Sequence, residues 1–156
     1  VAEDVTAEAV KEAGYESLKA AEADGAAFVF IGHGSAHVAK VSYSQMQSQM
    51  EALGYKNVFI GTVEGEPGET ACASVIDALK EAGYQKIILR PLMVVAGDHA
   101  NHDMAGGDED SWMSMIIASG AFAQVDSQIA GLGRVDAVQQ LYVAHTKAAM
   151  EALQGD

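Results

Sequence analysis

The chain has 156 residues, 49% of them hydrophobic and 20% charged, with one cysteine and a formal net charge of −13. That size suits one domain with its own core, and a lone Cys72 cannot form an internal disulfide. So acidic a chain argues against nucleic acid, whose binding depends on neutralising phosphates, and against anionic lipid; no apolar run nears the about 18 residues of a membrane span.

Residues 5–22 have helical composition, weakened at Gly14. A continuous apolar strand, 26–31, follows and ends in Gly32-His33-Gly34. The helix expected over 42–53 places Tyr43, Met46, Met50 and Leu53 on one face and closes at Gly54, a suitable residue just past a helix end. A second strand, 58–61, ends at Thr62-Val63-Glu64. The next helix, 69–82, turns Val75, Ile76 and Leu79 inward, and Cys72 within it reads as a packed thiol. Its closure, Ala82-Gly83-Tyr84, repeats the design of Leu53-Gly54-Tyr55. A third strand covers 86–89, extends towards Val95, and ends near Gly97-Asp98-His99.

Residues 97–110 hold two His, four Asp, one Glu and three Gly, which marks a long loop of the kind that often carries function. The acidic run 108–110 precedes a helix over 111–119, where negative charge is favourable, and Asp110 or Ser111 caps it. Trp112 is left open between packing and lining a cleft. A weaker fourth strand, 122–125, leads to Gly131-Leu132-Gly133 and a last helix over 135–153. The seven methionines fall mostly at helical spacing and read as core.

This alternation predicts one α/β domain over 1–156: a parallel four-stranded sheet, flavodoxin-like, with helices on both faces. Such sheets bind ligands beyond the carboxyl ends of their strands. His33, Glu64 and His99 each follow a predicted strand, so the fold puts all three on one edge. Two imidazoles and a carboxylate suit a divalent transition metal such as Co, Ni, Fe or Zn, with coordination positions left open. Each residue also has a plainer reading. His33 between two glycines can simply serve a tight turn, Glu64 can be a solvated loop acid, and His99 can pair with Asp98. His37 and His102 occupy the same loops as alternative ligands, and His145 on the last helix reads as packed or surface.

The segment Phe30-Ile31-Gly32-His33-Gly34-Ser35-Ala36-His37 resembles the first signature of the anaerobic cobalt chelatases of the CbiK type. Gly61-Thr62-Val63-Glu64 resembles their second element, and Arg90-Pro91-Leu92-Met93-Val94-Val95-Ala96-Gly97-Asp98-His99-Ala100 the third. Gly131-Leu132-Gly133 and Tyr142-Val143-Ala144-His145 continue the match in order. These are class II chelatases that insert Co2+ into sirohydrochlorin on the cobalamin route. The resemblance implies two similar chelatase-like α/β halves with the tetrapyrrole between them. This chain then corresponds to the C-terminal half, with the N-terminal half absent.

By the same resemblance the metal ligands are His33, Glu64 and His99, and His33 also receives pyrrole protons. The mechanism expected at such a site has Glu64 offset cationic charge and shuttle the second proton. Co2+ is the expected substrate metal, with Fe2+, Ni2+ or Zn2+ able to substitute. A sirohydrochlorin-like tetrapyrrole is the expected partner, with an N-terminal half or a second copy completing the cleft. Glu66 is an extra acid in the second loop and a competitor to Glu64. The chain opens at Val1, so a processed chain or a fragment is expected, cytoplasmic with a periplasmic alternative. The rival expectations are a non-enzymatic metal- or tetrapyrrole-binding module and an iron or nickel chelatase.

Overall fold

The computed structural model describes residues 2–33, 41–65, 68–92 and 104–128. Strand β1, Ala26–Gly32, is buried at every position, as an unbroken apolar run requires of a strand with neighbours on both sides. It pairs in parallel with β2 (Val58–Thr62) on one side and β3 (Lys86–Pro91) on the other, and β3 pairs in parallel with β4 (Gln124–Ser127). The order is β2-β1-β3-β4. The predicted parallel four-stranded sheet is therefore what forms.

Alternation along the strands sorts the core into two layers. Phe28 and Phe30 of β1, Val58 and Ile60 of β2 and Ile88 of β3 meet α1 (Ala2–Glu12), α2 (Leu18–Ala23) and α3 (Val41–Ala52). Ala27, Val29, Ile31, Ile87 and Leu89 meet α4 (Cys72–Ala82) and α5 (Trp112–Ala118). Helices thus cover both faces, as expected. Among the described residues no helix is long and apolar enough to cross a membrane.

Several boundaries depart from the sequence reading for local reasons. Residues 5–22 form two helices, because Gly14 takes φ 85°, a left-handed conformation that ends the first. Ser17 then starts the second by accepting a hydrogen bond from the Ala20 N–H at 3.0 Å. Leu53, expected on the packed face with Tyr43, Met46 and Met50, is 40% exposed, because α3 ends at Ala52. The other three pack against the core as read. Ahead of α4, Gly68–Thr70 is a 3₁₀ turn rather than the first turn of the α-helix. Ser111, not Asp110, caps α5, accepting from the Ser114 N–H at 3.1 Å. Strand β4 begins two residues later than read.

Trp112 is buried and fills the space where a Cβ on Gly61 would stand. Packing, not a cleft wall, is its role. Met50 and Met104 are fully buried, while Met46, Met113 and Met115 pack partly. Cys72 is half-buried, and burial pushes its thiol up to about 12. The helix expected over 135–153 lies outside the described residues.

Candidate functional site

The carboxyl ends of β1, β2 and β3 lie side by side, and their hydrogen bonding runs past the regular strands. Val63 N–H donates to Gly32 O at 2.9 Å, Glu64 N–H to His33 O at 3.0 Å, and Leu92 N–H to Ile31 O at 2.7 Å. The backbone alone therefore makes His33 and Glu64 neighbours. Their side chains, 50% and 48% exposed, approach with His33 Nε2 and Glu64 Oε1 3.6 Å apart. That exceeds the about 3.2 Å limit of an N–H···O hydrogen bond. Two donors each about 2.1 Å from one four-coordinate cation sit about 3.4 Å apart. The pair is spaced for a shared ion, or for a loose contact between a protonated imidazole and a carboxylate.

Of the three ligands expected from sequence, the structure brings two together. His99 lies outside the described residues, as do His37, His102, His145 and Glu66. The chain enters the segment that carries His99 from Leu92, which is bonded to Ile31 two residues before His33. Among the described residues no group of three or more His, Cys, Asp or Glu side chains could hold a metal ion.

The scaffold under this edge uses residues that sequence patterns do not single out. Tyr43 lies so close over Gly32 that a Cβ there would overlap its ring unless the tyrosine shifted. Thr62 and Thr70, both buried, share a hydroxyl–hydroxyl hydrogen bond of 2.8 Å below the turn that carries Glu64. Arg90 of β3 is 2% exposed and donates to Glu12 and Gln128. Only Arg90 had a local signal: a cation in an apolar buried strand demands a partner.

The profile of the cobalt chelatase (CbiK) family matches residues 3–151. The chain belongs to that family. Its order of motifs at the strand ends, taken above as a resemblance, agrees with this membership, as does the parallel α/β sheet. The chain is 38% identical over 122 residues to a sirohydrochlorin cobaltochelatase of Salmonella typhimurium, covering 78% of the chain and 44% of that protein. It is 32% identical over 127 residues to the sirohydrochlorin cobaltochelatase CbiKC of Nitratidesulfovibrio vulgaris, covering 81% of the chain and 43% of that protein. This member of the cobalt chelatase family thus spans less than half the length of the curated relatives it matches.

Proposed function

We propose that this chain is the metal-carrying half of a sirohydrochlorin cobaltochelatase, which inserts Co2+ into sirohydrochlorin as two pyrrole protons leave. The observation that carries the reading is the 3.6 Å approach of His33 Nε2 and Glu64 Oε1 at the carboxyl edge of the sheet. His99 supplies the third ligand, which leaves positions for water and the incoming ring nitrogens. Family membership and the names of the two relatives support the metal and the tetrapyrrole. The ligand set alone would accept Fe2+ or Ni2+ as well.

Neutral imidazole can bind a metal or take a proton, but a bound divalent cation disfavours protonation. The two roles of His33 therefore follow in sequence. The triad holds Co2+ partly stripped of water; as the ion passes to the ring, His33 is released and accepts one pyrrole proton. Glu64 balances the cation first and takes the second proton afterwards. Sirohydrochlorin is rich in carboxylates and the chain carries −13, so long-range attraction favours the metal and not the macrocycle. Local donors must hold the ring. Since the chain spans 44% of the first relative, the opposite wall of the cleft comes from an N-terminal half or a second copy. The cytoplasm is the compartment proposed for the reaction, with the periplasm as the alternative.

In the complete protein, His33→Ala and His99→Ala should each slow Co2+ insertion, followed by tetrapyrrole absorbance, by about 10²–10⁴-fold. Near-parent rates in both overturn the assignment. The short coverage also supports a second reading, a binding module without turnover. Tight Co2+ binding with no insertion at any chain concentration would favour that reading.

A further inference from the structure

Glu64 sits on a turn whose two limbs are held in different ways. The outgoing limb is an extension of the sheet: Val63 and Glu64 donate to Gly32 and His33. At Gly65 the chain reverses, with φ 71° and a 3.3 Å hydrogen bond from its N–H back to Thr62 O. The described part of the return limb, Gly68–Thr70, is a 3₁₀ turn and not a strand. It is fastened by side chains: Ser44 Oγ donates to Glu69 Oε1 at 2.9 Å, and Ser74 Oγ donates to Gly68 O at 3.0 Å. Both of these bonds are exposed. The Thr62–Thr70 bond, 2.8 Å between hydroxyl oxygens, is the buried one, with the two residues 1% and 2% exposed.

A hydroxyl pair is not needed to fill that space, since two methyl groups would do so. What it supplies is distance and direction. Hydroxyl oxygens bond at about 2.7–2.8 Å, whereas apolar carbons rest about 3.5–4.0 Å apart. The bond therefore holds the two limbs about 1 Å closer than apolar packing would. A ligand set must be held to about 0.5 Å to keep its geometry, so a 1 Å spread at the base of the turn is large enough to move the carboxylate off His33.

We infer that the Thr62–Thr70 hydroxyl bridge is a positioning element that sets the Glu64 carboxylate against His33 for metal capture. This rests on the reading of His33 and Glu64 as metal ligands. Neither threonine touches the metal; each acts through the turn.

The test is Co2+ binding to the chain, measured by calorimetry and by the visible absorption of the bound ion. Thr62→Val keeps the shape and removes one hydroxyl. It should weaken Co2+ binding by about tenfold, the lower end of what second-layer partners of metal ligands contribute, and alter the Co2+ spectrum. Thr62→Ser, which restores the hydroxyl, should bind within about twofold of the parent. In a Glu64→Ala background, Thr62→Val should cost no further affinity, although it lowers Tm equally in both backgrounds; a merely structural role would not produce that dependence. Thr70→Val removes the same bond from the other side and carries the test if Thr62→Val does not fold. Parent-like Co2+ affinity in the folded valine variants overturns the bridge and leaves the ligands standing. A parent chain that binds no Co2+ overturns the ligand reading, and the bridge with it.

Discussion

Arg90 lies in β3 and His33 directly follows the neighbouring strand β1, near the same end of the sheet, yet their surroundings differ in almost every respect. Arg90 is paired in register with Phe30, three residues before His33, and is 2% exposed. Its Nη1 donates to Glu12 Oε2 at 2.5 Å and to Gln128 Oε1 at 2.8 Å, and Gln128 Nε2 donates to Ala9 O at 2.9 Å. A guanidinium is tolerated out of water only when it is paired and fully hydrogen-bonded. The cluster ties α1 to β3 and to the residue after β4. His33 and Glu64 stand half in solvent, with His33 Nε2 and Glu64 Oε1 3.6 Å from each other. An ion pair so exposed adds only about 0–1 kcal/mol to folding. One polar cluster is buried and stabilises the sheet; the other is half exposed, contributes little to stability and, on the function proposed above, holds an exchangeable ion.

The largest expected effect sharpens that contrast from the ligand side. Co2+ at a hundred times its Kd should raise the unfolding free energy by about 2.7 kcal/mol, read by denaturant titration. His33→Ala should abolish this gain while changing metal-free stability by less than about 0.5 kcal/mol. A large metal-free loss would make His33 a structural residue and break the contrast. Next in size is the closed cluster. Glu12→Ala should lower stability by about 2 kcal/mol, less than the about 3–5 of a fully buried pair, because the Glu12 side chain is 44% exposed and its charge is screened. Co2+ affinity should stay within about twofold if the two sites act independently.

The smallest effect concerns a third pair, at the opposite end of the strands. Tyr15 Oη donates to Asp24 Oδ2 at 2.6 Å, and Lys86 Nζ donates to the same oxygen at 2.6 Å. The bond to Asp24 and, after it, burial raise the phenol from 10.0 to about 12. A pKa raised by folding stabilises fully below the unfolded value and is lost as pH climbs through the folded one. The Tm gap between the parent and Tyr15→Phe should therefore hold steady up to about pH 9 and close between about pH 10 and 12. A gap that persists at high pH rules out the hydrogen bond as its source. Asp24 runs the other way. Its hydrogen bonds from Lys86 and Tyr15 lower its pKa, so its contribution is lost on acidification below the ordinary carboxyl range.

Much of the sheet was legible because burial leaves a local mark. The run Ala26-Ala27-Phe28-Val29-Phe30-Ile31 has no polar position, and it forms one of the two strands with neighbours on both sides. The Gly-Tyr closures at Gly54 and Gly83 were legible for a similar reason: both glycines adopt the left-handed conformation, with φ 77° and 81°. The break at Gly14 is complete, because its left-handed conformation ends the first helix. Ser17 before Leu18 offered a cap signal that fixes where the second helix begins. Thr62 and Thr70, eight residues apart across a turn, carry no such mark. Nothing in a threonine's neighbours announces which distant hydroxyl it will meet.

The sequence by itself determined the elements, their alternation and the placing of His33 and Glu64 just after strands, since each depends on residues within one or two turns of chain. Only the tertiary structure decided that β1 lies between β2 and β3, that Glu12, Arg90 and Gln128 meet, and that a histidine and a glutamate 31 positions apart stop 3.6 Å from each other. Those outcomes depend on which apolar faces bury one another across the chain, a choice made by the total burial of the packed sheet and not by any local pattern.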